Sequence, residues 1–221
     1  MEWICYIIML VVPYLLGGIN TSIIVTKIKT GKDIRTMGSG NAGFTNALRT
    51  QSKSTAIIVL LGDVAKAVLA MWIVRLSFLY IGGIDTTNIA LQMNWVGYVA
   101  TFMVIVGHVF PVYYGFKGGK GVLAAISAIF TLDWRSAVIL LSVFLVLIAI
   151  TRYVSLGSCI ASSLFTVTSL VWCCFVDNDP SWIINVVFAT LSAGLIVFMH
   201  RGNIHRLLTH TEKKLGEKVS S

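Results

Sequence analysis

The sequence predicts an all-α integral membrane protein with seven transmembrane helices, one of them short, an outside N-terminus and a cytoplasmic C-terminus. Hydrophobic residues make up 57% of the 221 residues and charged residues only 12%, roughly half the charged fraction of a soluble domain. Apolar segments recur along the whole chain with no long polar stretch between them. Basic residues also concentrate in alternate loops. We therefore expect residues 1–221 to form a single transmembrane domain.

A helix needs about 20 apolar residues to cross the hydrocarbon core of a bilayer. Apolar runs are found at about 3–26, 54–82, 94–114, 121–133, 136–151, 153–176 and 181–200. The first run lacks a basic leading region and an A-x-A cleavage site, so we expect it to stay in the mature protein. The fourth run is too short to cross straight, which makes a six-span or re-entrant arrangement the main alternative.

The distribution of basic residues predicts the orientation, because cytoplasmic loops are enriched in lysine and arginine. One set of loops holds fourteen of the seventeen basic residues: Lys27, Lys29, Lys32, Arg35, Arg49, Lys53, Lys117, Lys120, Arg152, Arg201, Arg206, Lys213, Lys214 and Lys218. The other set holds only Arg135. This asymmetry favours an odd number of spans, and hence seven over six.

Asp63 and Lys66 interrupt the second apolar run and lie three residues apart on one helix face. Mutual neutralisation is the least costly way to hold both charges in a membrane. We expect an ion pair that ties helices together beneath a functional site, with a proton or ion path as the alternative.

No metal or other cofactor is expected from the sequence. The four cysteines lie in apolar stretches without C-x-x-C spacing, which argues against a disulfide framework or a metal site: Cys5, Cys159, Cys173 and Cys174. His200, His205 and His210 are spaced by five, which turns each away from the last on a helix. His205 and His210 are expected at the solvated surface.

The first polar segment runs from Asp33 to Arg49 and is rich in glycine. Glycines at positions 38, 40 and 43 let a backbone approach a ligand closely, and small polar side chains add neutral hydrogen-bonding groups: Gly38, Gly40, Gly43, Ser39, Asn41, Thr45 and Asn46. This composition is typical of a phosphate site, which Arg49 could complete through a forked contact. A basic, glycine-rich connector is the alternative.

The second polar segment runs from Gly107 to Gly121 and contains Lys-Gly-Gly-Lys-Gly before an apolar helix. Free amides, the positive helix end and two ammonium groups would then converge on one point, so an oxyanion should bind there. The segment is not a Walker A loop, because Tyr114 and Gly121 stand at positions that require Gly and Ser or Thr. A nucleotide hydrolase is therefore not expected.

The third polar segment runs from His200 to Arg206, followed by Glu212 and Lys214, where the last span reaches the cytoplasm. His200 and Asn203 would share one face of a continuing helix.

No strong general base is visible in these segments. A G-x-S-x-G elbow is absent, and Tyr113 stands where an H-x4-D acyltransferase motif beginning at His108 would need aspartate. What remains is a set of oxyanion binders with a histidine at their edge. Such a set suits a reaction between two phosphorylated reactants, one of which has a good leaving group, such as an acyl phosphate.

The three segments, in order and spacing, resemble the signature motifs of the bacterial acyl-phosphate:glycerol-3-phosphate acyltransferases, the PlsY type of membrane enzyme. Arg152-Tyr-Val-Ser-Leu-Gly157 also fits, so the resemblance covers nearly the whole chain. It implies a seven-helix, multi-pass protein of the plasma (inner) membrane with an active site facing the cytoplasm. It also implies acyl transfer from acyl phosphate to the 1-hydroxyl of glycerol-3-phosphate, giving 1-acylglycerol-3-phosphate (lysophosphatidic acid) and phosphate for phospholipid biosynthesis.

The resemblance also implies roles for single residues. It implies six catalytic residues: Ser39, Arg49, Lys117, Lys120, His200 and Asn203. Residues implied to bind substrate or phosphate are Gly38, Gly40, Asn41, Gly43, Thr45, Asn46, His108, Gly118, Gly119, Gly121 and Ser155. His200 and Asn203 would position the acceptor hydroxyl, whereas Glu212 would stabilise the C-terminal tail. The implied partners are the two substrates, membrane lipid and the enzyme that makes acyl phosphate, with no nucleic acid.

Two other functions compete with an acyltransferase. A transporter for an organic phosphate would also need inner-side anion sites, but apart from Asp63, Lys66 and scattered serine or threonine the spans lack a polar path to the outer side. A scaffold that binds anionic lipids would explain the net charge of +8 but not the glycine-rich loops.

Overall fold

The computed structural model describes residues 2–86 and 94–217, and within these ranges the chain is helical without a β-strand. Lys218, one of the basic residues used to predict orientation, lies outside the described residues. The α-helices are α1 (Glu2–Gly18), α2 (Thr21–Thr30), α3 (Phe44–Thr50), α4 (Lys53–Tyr80), α5 (Trp95–Val109), α6 (Val122–Leu132), α7 (Trp134–Thr151), α8 (Val154–Leu170), α9 (Trp182–Met199) and α10 (Arg201–Leu208).

Six segments of the described chain are long and apolar enough to cross a membrane, which bears out the apolar-run analysis: Glu2–Thr30, Lys53–Tyr80, Trp95–Tyr114, Trp134–Thr151, Val154–Val176 and Trp182–Met199. The predicted short segment is α6, with 11 residues. A helix of this length is about 16 Å long, roughly half the thickness of the hydrocarbon core.

The short helix α6 runs antiparallel to α5. It follows Gly121, where a Cβ atom would contact Ile105 and Val109 near the end of α5. Its last residue, Leu132, packs against Gly97 in the first turn of α5. A Cβ atom on Gly121 would also lie 3.8 Å from Ile196, near the end of α9, so the loops that precede α6 and follow α9 lie at the same end of the helix bundle.

The first apolar run is not one continuous helix, although 3–26 was predicted as a single span. The helix breaks at Ile19 and Asn20, and Asn20 caps α2 by accepting a hydrogen bond from Ile23 N at 3.1 Å. An asparagine side chain that satisfies a free amide favours a new helix start over continuation. The break also exposes the Ile19 carbonyl oxygen as an acceptor for another element.

The buried ion pair predicted between Asp63 and Lys66 is confirmed, with 2.8 Å between Lys66 Nζ and Asp63 Oδ1. Lys66 Nζ also donates to the Ile19 carbonyl at 2.7 Å and to His108 Nδ1 at 3.0 Å. Three charge-assisted bonds offset the cost of burying the ammonium group. They join the α1–α2 break, α4 and α5 just beneath the loops.

Small residues let α1 and α5 approach closely, as is usual where membrane helices pack. A Cβ atom on Gly107 would overlap the Tyr14 carbonyl, and one on Gly17 would overlap the Val104 carbonyl. The helices α4, α5 and α7 pack against the short helix α6, whose N-terminus faces the loop end.

Candidate active site

The first loop, residues 31–43, is held by a side chain of the helix that follows it. The buried Asn46 of α3 accepts a hydrogen bond from Ser39 N at 2.9 Å and donates to the carbonyls of Met37 at 3.0 Å and Ile34 at 3.3 Å. Asn20 donates to the Ala42 carbonyl at 3.2 Å. Two amide side chains thus fix the backbone that carries Ser39.

The glycine loop, residues 115–121, packs against this first loop. Gly119 N donates to the His108 carbonyl and Gly118 N to the Val109 carbonyl, both at 3.1 Å. Gly119 is buried so tightly that a Cβ atom would overlap the His108 ring and the Ala42 carbonyl. The glycine loop leads into α6 at Gly121, which offers no side-chain cap to the helix.

The third segment meets the glycine loop through a chain of polar contacts. The Lys120 ammonium group donates to Asn203 Oδ1, and Asn203 Nδ2 donates to Glu212 Oε1 at 2.6 Å. Glu212 also accepts hydrogen bonds from Ser155 Oγ at 2.8 Å and Arg206 Nε at 2.7 Å. Glu212 therefore connects the C-terminal tail to α8 and α10.

The prediction of one continuing helix through His200 and Asn203 is wrong. The helix α9 ends at Met199 and α10 begins at Arg201, with His200 between them at φ −94° and ψ 5°. A turn at this point buries His200, whose Nδ1 lies 2.8 Å from the Ile196 carbonyl. Because a carbonyl only accepts, Nδ1 carries the proton and a neutral His200 keeps a lone pair on Nε2.

These loops surround a cavity of about 840 Å³. The cavity wall includes thirteen of the seventeen residues that were assigned site roles in the sequence analysis: Gly38, Ser39, Asn41, Gly43, Thr45, Asn46, Arg49, His108, Lys120, Gly121, Ser155, His200 and Asn203. The remaining four, Gly40, Lys117, Gly118 and Gly119, do not line it. Lys117 is exposed, and Gly118 and Gly119 lie behind Lys120 in the loop.

The other half of the cavity is apolar and extends between the membrane helices. Side chains from five helices form this half: Ile105, Ile126, Ile129, Leu140, Phe144, Ile148, Phe165 and Ile196. A cavity with cationic and hydroxyl groups at one end and hydrocarbon walls at the other suits an amphiphilic ligand.

Lys120 and His200 in the polar half both have lowered pKa values. Burial lowers the pKa of Lys120 to about 8, and the nearby positive charges of Arg206 and Arg49 add to this effect against the opposing charge of Glu212. Burial and the neighbouring Lys120 lower the pKa of His200 to about 4. His200 is therefore neutral near pH 7.

The carboxylate of Glu212 has several hydrogen-bond partners at this end of the cavity, whereas the guanidinium group of Arg49 has few. Burial alone would raise the pKa of Glu212, but hydrogen bonds from Asn203, Arg206 and Ser155 lower it. Arg49 donates from Nη2 to the Lys213 carbonyl at 3.3 Å, whereas its buried Nε has no partner within the described residues. A buried donor without a partner is costly, so Arg49 is suited to an incoming anion.

Sequence reasoning missed the residues that hold the loops together. Arg35, counted only as a basic residue, donates to the carbonyls of Tyr114 and Lys117 in the second segment. Asn20 lies in an apolar run, and its bond to Ala42 has no signal in the sequence. The one signal that could have indicated a fixed position for this arginine is Asp33, two residues before it.

Comparison with known proteins agrees with this arrangement. A family model described as glycerol-3-phosphate acyltransferase matches residues 7–210. The glycerol-3-phosphate acyltransferase of Clostridioides difficile (strain 630) is 42% identical, over 99% of both chains. That of Syntrophomonas wolfei is 38% identical, over 96% of this chain and 97% of the relative.

Solved structures give the same result. The glycerol 3-phosphate form of PlsY (YgiH), an integral membrane glycerol 3-phosphate acyltransferase, matches with a TM-score of 0.77 and 31% identity over 95% of each chain. The lysophosphatidic acid form matches with a TM-score of 0.74 and 29% identity over 95% of each chain. The resemblance seen in the three motifs is confirmed, and the chain belongs to the glycerol-3-phosphate acyltransferase family.

Proposed function

We propose that this protein transfers a fatty acyl group from acyl phosphate to the 1-hydroxyl of glycerol-3-phosphate, giving lysophosphatidic acid and phosphate. The observation that carries the proposal is a single cavity in which Lys120 and the unpartnered Nε of Arg49 line one end and membrane-helix hydrocarbon lines the other. Relatives named for glycerol-3-phosphate acyl transfer support the acceptor.

The polar end has the features of a phosphate site. The N-terminus of α6 lies on the cavity wall at Gly121 and Val122 and has no side-chain cap. Its free amides and positive dipole end favour a phosphate group. Ser39 adds a hydroxyl and Arg49 adds a charged donor to the same wall. Hydrogen-bond donors are therefore available to the phosphate groups of both reactants.

The apolar end supports an acyl chain that enters from the bilayer. A chain that is already in lipid gains little hydrophobic free energy on entering the cavity, so the apolar walls accommodate the chain without a cost for leaving the bilayer. The donor's phosphate would then lie with Lys120 and its chain between α6, α7 and α8. This placement favours acyl phosphate over a donor with a large polar carrier.

The reaction requires no covalent enzyme intermediate in this arrangement. The 1-hydroxyl oxygen of glycerol-3-phosphate attacks the acyl carbonyl carbon, and the bond from that carbon to the phosphate oxygen breaks. Phosphate leaves with the bonding electrons, and the hydroxyl proton passes by way of His200 Nε2 to the acceptor's own phosphate. Lys120 and Arg49 stabilise the negative charge that develops.

His200 and Asn203 act on the acceptor hydroxyl in this proposal. The free Nε2 lone pair of neutral His200 accepts a hydrogen bond from the hydroxyl and orients its oxygen toward the acyl carbon. Asn203 holds the Lys120 ammonium group in place. Lys117 is exposed outside the cavity wall, and in this proposal its charge attracts the acceptor's phosphate before the acceptor enters the cavity.

We further propose that residues 1–221 form one domain in the plasma (inner) membrane, with α6 as the seventh crossing. The N-terminus lies outside, and the loop end with its basic residues faces the cytoplasm. Glycerol-3-phosphate then enters from the cytoplasm and acyl phosphate from the inner leaflet. The enzyme that makes acyl phosphate is the expected supplier of the donor.

The test is to incubate the purified protein with palmitoyl phosphate and labelled glycerol-3-phosphate, and to separate the lipid products. Labelled lysophosphatidic acid with release of one phosphate per acyl group transferred is expected. Palmitoyl-CoA in place of palmitoyl phosphate should give no product. Product from the thioester alone would contradict the proposed donor, and no product from either would contradict the proposed reaction.

The lowered pKa of Lys120 predicts a loss of activity in alkaline solution. Protonated Lys120 is required, so kcat/KM should be constant near pH 7 and fall about tenfold per pH unit above about pH 8. The substrates' phosphates are already fully ionised there, because their second pKa is about 6. The measurement is kcat/KM between pH 6.5 and 10.

The variant Lys120→Arg is the control for this profile, because arginine stays charged throughout the range. Its kcat/KM should be lower than that of the wild type but should not fall between pH 8 and 10. An alkaline loss that is equal in both proteins would show that another group causes it.

A further inference from the structure

We propose that Arg35 is a positioning residue that sets the shape of the glycine loop from outside the cavity. The inference rests on the proposed function, in that the loop is taken to bind a substrate phosphate. Arg35 does not line the cavity, so it acts through the backbone that carries Lys120 and not by contact with a substrate.

Arg35 binds two carbonyl groups of the second segment with one nitrogen. Its Nη1 donates to the Lys117 carbonyl at 2.9 Å and to the Tyr114 carbonyl at 3.1 Å. These carbonyls lie 79 and 82 residues away in sequence. The guanidinium group therefore joins the first loop to the second segment, where Tyr114 and Lys117 flank a left-handed turn at Gly115 and Phe116.

Asp33 holds the other side of the guanidinium group. Arg35 Nη2 and Nε donate to Asp33 Oδ2 at 2.7 and 3.1 Å, and Arg35 N donates to Asp33 Oδ1 at 2.9 Å as the cap of a short 3-10 turn. The planar fork of arginine matches this arrangement, which the single ammonium nitrogen of lysine cannot reproduce. Arg35 is thus fixed before it meets the glycine loop.

The peptide group between Lys117 and Gly118 is hydrogen-bonded through both its carbonyl and its N–H. Its carbonyl accepts from Arg35, and its N–H donates to the Val109 carbonyl at 3.1 Å. The orientation of this peptide group determines where the chain places Lys120, three residues after Lys117. Loss of one of the two holds would let the peptide group rotate.

The glycine loop needs hydrogen bonds from outside the loop to fix it, because part of its backbone is strained. Gly115 and Phe116 both have positive φ, at 64° and 59°. A residue with a side chain in this region costs of order 1–3 kcal/mol and persists only when its surroundings fix it. Arg35 binds the carbonyls on either side of these two residues and so supplies that constraint.

The test measures phosphate binding by the Arg35→Lys variant in a 31P NMR titration with inorganic phosphate. The inhibition constant of phosphate in the turnover assay provides an independent check of the same affinity. Loss of the forked contact should weaken phosphate binding roughly tenfold. The KM of at least one substrate should rise by a larger factor than the factor by which kcat falls. The titration needs no turnover, so failure of this inference is distinguishable from failure of the proposed reaction.

The matched control is Arg135→Lys, which removes a similar arginine near the start of α7, remote from the cavity. Arg135 also binds carboxylates, those of Asp133 and Asp177, and its side chain is 32% exposed against 28% for Arg35. This variant should lower the unfolding temperature by a similar amount and leave phosphate binding unchanged.

Unchanged phosphate binding in a folded Arg35→Lys protein would overturn the inference. If that variant does not accumulate, Asp33→Asn provides the second test, because it keeps the guanidinium group and weakens only its anchor. Phosphate binding should then weaken about threefold, and an unchanged value in this variant would also overturn the inference.

Discussion

Replacement of Lys120 by methionine is expected to lower kcat/KM by roughly 100- to 1,000-fold, the usual cost of removing one donor that stabilises transition-state charge. The side chain is largely buried, lines the cavity and is fixed by Asn203. Methionine keeps the length and most of the volume, so the loss reports the missing charge. Purified enzyme and palmitoyl phosphate with labelled glycerol-3-phosphate give the measurement.

Lys53→Met is the control for Lys120→Met. Lys53 is an exposed residue at the start of α4 and does not line the cavity, so its variant should retain near-normal kcat/KM. A Lys120→Met enzyme that kept more than about one tenth of wild-type kcat/KM would be incompatible with direct charge stabilisation by this residue.

Gly119→Ala should reduce kcat/KM by about 100-fold or more, because displacement of catalytic groups by about 1 Å can cost that much. A Cβ atom at this position would overlap the His108 ring and the Ala42 carbonyl. Neither can move freely, since Lys66 holds His108 and Asn20 holds Ala42. The glycine loop must therefore shift and take Lys120 with it.

Gly194→Ala is the control for this steric effect. Gly194 lies in α9, and a Cβ atom there would meet nothing within 4 Å, so activity and stability should stay near wild type. Normal kcat/KM for a folded Gly119→Ala protein would show that the glycine loop does not need its close contact with His108 and Ala42.

The membrane architecture was predictable because apolar length and charge placement act locally. The run 54–82 became α4 at Lys53–Tyr80, and the run 121–133 became α6 at Val122–Leu132. The pairing of Asp63 with Lys66 was predictable from their spacing and the cost of isolated charge in lipid. The break at Asn20 was missed because one polar residue scarcely lowers the apolar character of the run.

The composition of the loops predicted an anion site, but their packing could not be predicted. Lys117 and Lys120 are both lysines beside glycines in the same short segment, yet of the two only Lys120 lines the cavity. The bonds that decide this difference run from Arg35 to Lys117 and from Lys120 to Asn203, across 82 and 83 residues. Such contacts depend on how the helices pack, which no local pattern encodes.

The turn at His200 shows the same limitation on a smaller scale. Helical spacing suggested that His200 and Asn203 share a face of one helix, whereas His200 lies at a helix break and Asn203 lies in the helix that follows. A bond from His200 Nδ1 to the Ile196 carbonyl fixes the ring instead. The residues of the site were therefore easier to predict than the geometry that orients them.

In the proposed mechanism, three distant segments of the chain form one phosphate-binding cavity. This arrangement can be tested with an experimental structure of the protein in lipid with bound inorganic phosphate. Phosphate oxygens should lie within hydrogen-bonding distance of Lys120, Arg49 and the first amides of α6. Phosphate bound elsewhere, or a cavity in which Arg49 and Lys120 do not share one anion, would show that the segments do not form a common site.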